Sequence, residues 1–236
     1  MKARGDVAGL VKATRHREPF WRQAACRALN TFHQGESIAA LIEALKDNAS
    51  DVRAAAALSL GELGAKQAVD SLITTLNDPV MSPRLHTAYA LGKIADPRAI
   101  SALITALCDE EHFPWLGNSA VPLKNIPAYA LVQIGSAAVE ALTNTLQNPS
   151  LGVRISVVGA LGLIRDRNAV DALITALGDQ DESIVAEAAE ALGEIGDTRA
   201  LPALEHLASS SRSYPGPDSR SCSAAKVAIY RIQRGY

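Results

Sequence analysis

Aromatic side chains make up only 4% of these 236 residues, and cysteine is rarer still. The three cysteines, Cys26, Cys108 and Cys222, are an odd number too widely spaced for any CxxC or CxxH pattern. That excludes a disulfide framework and leaves no zinc or iron–sulfur ligand spacing. No apolar run reaches 18 residues, and the opening MKARGDVAGLVKATRHRE is basic without the apolar core of a secretory signal. A cytoplasmic chain that does not enter a membrane is expected. Net charge is −2, which gives no basis for wholesale electrostatic binding to nucleic acid. The usual marks of nucleophilic catalysis are missing too: there is no GxSxG elbow, glycine-rich phosphate loop or Cys–His pairing.

The few charges are unevenly spread. Residues 1–27 hold seven Lys/Arg against Asp6 and Glu18, and residues 212–236 hold five against Asp218. The stretch between them carries 11 basic and 22 acidic side chains. An acidic body thus lies between basic ends, a pattern that a solvated surface explains without any ligand.

What is present is a repeat. The stretch DVRAAAALSLGELGAKQAVDSLITTLND, from Asp51 to Asp78, recurs at a shift of 31 residues in either direction. Arg53 falls on Arg22 and Arg84, Gly61 on Asn30 and Gly92, and Leu72 on Leu41 and Leu103. Its first half is rich in alanine. Its second carries Val69, Leu72, Ile73 and Leu76 at the i, i+3, i+4, i+7 spacing of an amphipathic helix. Such a period predicts an all-α array of 31-residue helical hairpins, with helices of 10 to 14 residues. One hairpin cannot bury enough apolar surface to stay folded alone, so neighbours must supply the rest.

The boundaries follow from the period. A half repeat covers 1–17, with full repeats at about 18–48, 49–80, 81–110, 125–149, 150–180 and 181–210, and a cap at 211–236. Together 1–236 reads as one solenoid domain. Gly64, Gly135 and Gly196 stand where helix C-caps belong, and Asp96, Asp166 and Asp197 where N-caps belong. Between the third and fourth repeats the shift grows to 40, since Tyr89-Ala90-Leu91 recurs as Tyr129-Ala130-Leu131. Prolines at 114, 122 and 127 make the 110–127 segment an inserted loop.

The segments VRAAAALSLGELG, PRLHTAYALGKIADPRAISALITALCD and VRISVVGALGLIRDRNAVDALITALGD resemble HEAT repeats of the phycobilisome-lyase-like class. The resemblance implies a right-handed α-α superhelix whose second helices line a concave side. Its functions are mixed, because the class includes bilin lyase subunits, metal-dependent hydroxylases and plain protein-binding scaffolds. The hydroxylases hold two irons with His-Glu dipeptides. No His-Glu occurs here, so neither a metal nor any other cofactor is expected. A bilin lyase subunit is the alternative, its groove acids Asp70 or Asp171 pairing pyrrole nitrogens. Nucleic-acid binding, known from HEAT-like alkylation-repair proteins, is opposed by the acidic body.

Several residues stand out. The column Arg22, Arg53, Arg84, Lys124 and Arg154 reads either as an anion-binding stripe or as structural ties to the acidic loop of the preceding repeat, Asp47 or Asp78. Val185 replaces the base in the sixth repeat, which favours the ties. Cys26, on a small-residue face, and Cys108, at the end of a core helix, read as buried, inert thiols. On the second helices, Asp70, Ser101, Glu140 and Asp171 line up, and one turn on Thr74, Thr105, Asn144, Thr175 and His206. Short polar side chains there leave room for a protein or peptide and offer it hydrogen bonds. In the insertion, His112, Phe113 and Trp115 either plug the widened junction or contact the partner. A non-catalytic protein-binding scaffold is the expectation.

Overall fold

The computed structural model describes residues 6–109, 111, 125–209 and 219–235. Fourteen α-helices and no strand occur among them. They fall into two compact units, one within Met1–Pro114 together with Tyr129–Ile134, the other within Trp115–Ala128 together with Gly135–Tyr236.

In the first unit, α1 (Val7–Ala13) stands alone as a half repeat. Three hairpins follow: α2 (Pro19–Ala28) with α3 (Gly35–Ala44), α4 (Ser50–Glu62) with α5 (Val69–Thr75), and α6 (Met81–Ile94) with α7 (Ile100–Cys108). Helix α8 (Ile126–Ile134) begins the next repeat, and its residues from Tyr129 belong to this unit. The second unit holds α9 (Val139–Thr145), then α10 (Leu151–Ile164) with α11 (Val170–Ala176), α12 (Glu182–Ile195) with α13 (Leu201–Ser209), and the closing α14 (Arg220–Arg234).

Leucine columns make the core of each unit. In the first, Leu29 just after α2 and Leu60, Leu91 and Leu131 of the first helices are fully buried, as are Leu41, Leu72 and Leu103 of the second helices; in the second, Leu161 and Leu192 are, with Leu142, Leu173 and Leu204. Each burial is worth about 1.5–3 kcal/mol before ordering costs. Val157 and Val158, which depart from the usual small residues of the first helices, are fully buried as well and serve packing.

First helices also touch each other closely. A Cβ added to Gly61 of α4 would lie 2.7 Å from the Ala90 Cα of α6, and one added to Gly193 of α12 would lie 2.9 Å from the Ala228 Cα of α14. The 31-residue recurrence of glycine here is a requirement of backbone approach, since any side chain would collide with main chain rather than with a movable tip.

Most second helices are shorter than the 10 to 14 residues expected. Helices α5, α9 and α11 have 7 residues each. The reason is local, because each is entered through a turn of 3-10 helix such as Lys66–Ala68 or Arg167–Ala169. The expected N-caps act on these turns. Asp96 accepts the Arg98 N–H at 3.0 Å, Asp166 the Asn168 N–H at 2.8 Å and Asp197 the Arg199 N–H at 2.9 Å.

The three expected C-cap glycines all take positive φ, at 60° for Gly64, 80° for Gly135 and 73° for Gly196. Two repeats without glycine keep the geometry: Ala95 and Arg165 sit at φ 53° and 57°. The first repeat does not, since His33 stands in place of glycine there and α2 turns into α3 through the 3-10 turn Leu29–Thr31 with no residue at positive φ.

The inserted segment is shorter than 110–127. Asn125 caps α8 by accepting the Ala128 N–H at 3.1 Å, and Ile126 and Pro127 are already helical. Proline at the second position of a helix removes no hydrogen bond, which is why Pro127 opens the helix instead of ending a loop. The apolar stretch Ile126–Thr145 is broken at Gly135 into helices of 9 and 7 residues. Each falls well short of the roughly 20 residues needed to cross a bilayer.

Candidate partner-binding surface

The arginine column is structural, and besides the expected loop of the preceding repeat it holds a second partner. Arg53 Nε and Nη2 donate to Asp78 Oδ2 and Oδ1 at 2.6 and 2.7 Å, a planar two-point contact with the acid 25 residues downstream in its own repeat. Arg22 does the same with Asp47 at 2.6 and 2.7 Å, and Arg154 with Asp179 at 3.0 and 3.2 Å. What reaches the preceding loop is Nη1, which Arg53 donates to the Asp47 and Asn48 carbonyls at 2.8 and 3.2 Å. Arg84 Nη1 likewise donates to the Asp78 carbonyl at 2.7 Å. Arg22, Arg53 and Arg154 thus each clamp two successive loops.

The acids are held in turn. Asp47 Oδ1 accepts the Ala49 N–H and Asp78 Oδ1 the Val80 N–H, at 2.8 and 2.9 Å. Burial alone would raise the Asp78 carboxyl, but the Arg53 hydrogen bond, the Val80 N–H and the charges of Arg53 and Arg84 outweigh it and hold the group below its ordinary range. With donors spent and side chains mostly buried, these arginines are not an anion stripe. Lys124 lies outside the described residues. In the sixth repeat, Val185 is followed 25 positions later by Ser210, so base and acid are lost together.

The second-helix face presents the polar row that the spacing predicts. In the first unit Asp70, Thr74, Ser101 and Thr105 are exposed, and in the second Glu140, Asn144, Asp171, Thr175 and His206 are exposed. Their chemistry differs from expectation in two respects. The threonine hydroxyls are already used as donors: Thr74 to the Asp70 carbonyl at 3.1 Å, Thr105 to Ser101 at 3.1 Å and Thr175 to Asp171 at 3.0 Å. They offer an incoming group acceptor lone pairs and a methyl.

Asp70 and Asp171, moreover, are not unpaired. Arg98 Nη1 lies 3.3 Å from Asp70, and Arg199 Nη1 lies 3.5 Å from Asp171. Both arginines are also fixed by Asp96 or Asp197 and by a carbonyl of the preceding repeat, Lys66 at 2.8 Å or Arg167 at 2.9 Å. The Arg98 hydrogen bonds hold the Asp96 carboxyl below its ordinary range, as those of Arg199 hold Asp197. With side-chain exposures of 79% and 81%, Asp70 and Asp171 sit in bridges that add little stability. A partner can displace them cheaply. Arg98 and Arg199 were legible in the recurring Asp-x-Arg of Asp96-Pro97-Arg98 and Asp197-Thr198-Arg199.

Each unit also has a notch between successive second helices, at equivalent places. In the first unit it is a cleft of about 600 Å³ containing Arg15, Glu36, Glu43, Lys46 and the Arg22–Asp47 pair. In the second it is about 740 Å³ and mostly uncharged, with Thr143, Gln147, Thr175, Gly178 and Gln180 around the Arg154–Asp179 pair. Where other second helices carry Ile42, Ile73, Ile104 and Ile174, the fourth and sixth repeats have Thr143, half-buried, and Glu205, exposed.

His112, Phe113 and Trp115 lie outside the described residues. Among the described residues, no group of three or more His, Cys, Asp or Glu is placed to hold a metal ion. Cys26 is fully buried, and burial pushes its thiol up to about 12. Cys108, expected inside, is exposed because α7 ends there.

The sequence profile of HEAT repeats matches residues 7–84, 38–121 and 128–215. No curated protein matches the chain. Among solved structures, the complex of CpcE and CpcF of phycocyanin lyase from Nostoc sp. PCC7120 is similar at 22% identity, covering 96% of this chain and 94% of that one, with a TM-score of 0.52. YibA of Escherichia coli is similar at 21% identity, with coverages of 97% and 81% and a TM-score of 0.53. A chain from the structure of Kap95p with RanGDP is similar at 15% identity, with coverages of 97% and 36% and a TM-score of 0.62. Likeness at these identities concerns the fold. With the profile matching well over half of its residues, the chain belongs to the HEAT-repeat family.

Proposed function

We propose that this protein is a non-catalytic scaffold that binds another protein or peptide through the second-helix faces of its two units and through the 110–127 segment. The observation that carries this reading is the exposed row from Asp70 to Thr105 and from Glu140 to His206, in which Asp70 and Asp171 are held only by weak, exposed arginine contacts. Rigid helices set the spacing of these side chains, so a partner gains contacts without ordering the face first. The structures of CpcE with CpcF and of Kap95p with RanGDP, both of similar fold, are complexes between proteins, in keeping with this use of the architecture.

The test is a comparison of captured proteins. Partners retained by the wild type are expected to be lost on Asp171→Arg/Thr175→Arg and on Thr105→Arg, and kept on Lys226→Glu, at an exposed position of α14. Trp115→Ala tests the inserted segment. Unchanged capture by all the face variants contradicts the reading.

A bilin-handling role is the second reading, supported by the fold likeness to phycocyanin lyase. The Arg98 and Arg199 bridges to Asp70 and Asp171 compete with any pairing to pyrrole nitrogens. Titration with a bilin decides it, since the absence of a visible absorbance shift removes this reading.

A further inference from the structure

Where one first helix stacks on the next within a unit, the later helix buries the stripe that meets its predecessor. Glycine sets the approach: a Cβ added to Gly61, Gly162 or Gly193 would lie 2.7 Å from Ala90, 2.9 Å from Ala191 or 2.9 Å from Ala228 of the following helix. Back along those helices the covered stripe is Pro83 and Ala90 in α6, Ile184 and Ala191 in α12, and Ser221, Ala224 and Ala228 in α14, all buried. In α4 it is Val52, Ala55 and Ser59, buried too, with the Ser59 hydroxyl donating to the Cys26 carbonyl of α2 at 2.9 Å.

Helix α2 opens the stack. Among the described residues no first helix precedes it, and α1, which aligns with the second helices, packs on α2 and α3. In α2 the stripe is Trp21, Ala24 and Ala28, 31 residues before Val52, Ala55 and Ser59. It is bare: Trp21 is 54% exposed, Ala28 is exposed and Ala24 is half-buried. Phe20, 68% exposed, extends the patch and meets Trp21 edge to face at 5.3 Å. Contiguous exposed apolar surface of this kind marks a place of contact.

What covers the stripe elsewhere shows what fits it here: an α-helix that brings a small residue to the alanine. The rim adds a preference of charge. Arg17 and Arg27, the latter two turns on from Phe20, are exposed and make no ion pair among the described residues. Residues 1–27 hold seven Lys/Arg against two acids. A covering helix that carries carboxylates therefore matches, as α12 does where its Glu187 and Glu190 meet Arg220 of α14 at 3.4 and 3.5 Å.

A second copy does not supply that helix by extending the stack. Its last helix, α14, has Tyr230 in the glycine column, two residues after Ala228, with Arg234 4.7 Å over the ring. It also carries Arg220, Lys226, Arg231 and Arg234 and no acid. A ring where backbones must approach, and like charge on both sides, oppose such a contact.

We propose that the bare stripe of α2 is a second interaction surface, separate from the second-helix faces, and that it takes an acidic amphipathic helix of another protein, stacked as a preceding first helix would be. A glycine or alanine of that helix lies against Ala28, its apolar side covers Phe20 and Trp21, and its carboxylates face Arg17 and Arg27. One helix covers less than a standard interface, so the association is weak.

Fluorescence of the full chain carrying Trp115→Phe tests this, because Trp21 is then the sole tryptophan. The probe is a peptide with the sequence of residues 182–195, ESIVAEAAEALGEI, an acidic first helix with Gly193 in the glycine column, held helical by a covalent i, i+4 link. Titrated to about 1 mM, it is expected to move Trp21 emission to shorter wavelength with saturation. Ala28→Glu and Arg27→Glu, both at exposed positions, and a peptide with lysine for each glutamate are each expected to weaken binding at least tenfold, with the circular dichroism of the protein unchanged. The absence of a shift overturns the proposal. So does a shift that Ala28→Glu and Arg27→Glu leave unchanged, which places the peptide elsewhere, or one as strong with the lysine peptide, which removes the charge match. A shift that follows the protein's own concentration and is abolished by Ala28→Glu gives the face to a second copy, and overturns it as well.

Discussion

Replacing Asp78 by alanine removes one half of a clamp whose other half cannot follow it into water. The Arg53 guanidinium is 12% exposed and donates four hydrogen bonds, two to Asp78 and two to the carbonyls of Asp47 and Asn48. Without the acid, two charged N–H groups and the Val80 N–H lose their acceptors among buried side chains. Removing one partner of a buried pair costs 3–5 kcal/mol, and the pair's remaining exposure puts the expected loss near the lower end, about 3 kcal/mol. For a chain of this length that lowers Tm by roughly 6–12 °C. Arg53→Met should cost a similar amount, whereas Arg53→Met/Asp78→Leu, which removes both charges, should recover much of the loss.

The pH dependence has a fixed sign. The Asp78 pKa is lowered on folding, so its contribution is fully present above its ordinary value of 3.8 and is lost as the pH falls through the lower folded value. The gap in Tm between wild type and Asp78→Ala should therefore narrow in acid. Thermal unfolding followed by circular dichroism reads all of this. A shift below about 1 °C at neutral pH, or a double variant as unstable as the sum of the singles, refutes the clamp.

Three further expectations concern the packing. Gly61→Ala should destabilise by about 1 kcal/mol despite the better helix former, because its Cβ meets the Ala90 backbone, while Gly35→Ala, with nothing within 4 Å, should be neutral or mildly stabilising. A urea midpoint below the wild type for Gly61→Ala and at or above it for Gly35→Ala is the expected result. Ala95→Gly should raise stability by about 0.5–1 kcal/mol, since Ala95 holds φ 53° where glycine is unstrained, and a fall in Tm would contradict this. In the native protein a thiol reagent should label exposed Cys108 quickly and leave buried Cys26, its thiol raised to about 12, unreacted until unfolding.

Much of this fold was legible because a repeat tests each inference several times over. The 31-residue shift that aligns Leu41, Leu72 and Leu103 located the buried column, and glycines at 64, 135 and 196 located the reversals. What stayed hidden were consequences of geometry that the period does not encode. A period gives equivalence between repeats, not every neighbour that a side chain faces, so it points Arg53 to the loop behind, which Nη1 does reach, and misses Asp78 ahead, which Nε and Nη2 grip. Nor does it distinguish the 3-10 entry turns from the α-helices that they shorten. On the candidate surface, spacing identified which side chains are exposed. It did not show that Thr74 and Thr175 turn their protons back into their own helices, or that Arg98 and Arg199 reach across a repeat to Asp70 and Asp171.

Site-specific photocrosslinking in the source cell tests the proposed role most directly. A photoreactive side chain at Thr74 or Thr175, on the second-helix face of either unit, should give a discrete adduct with a partner protein. The same group at Glu62 or Lys226, exposed on α4 and α14, should not give that adduct. Adducts confined to the α4 and α14 positions, or none from either threonine, would contradict the account.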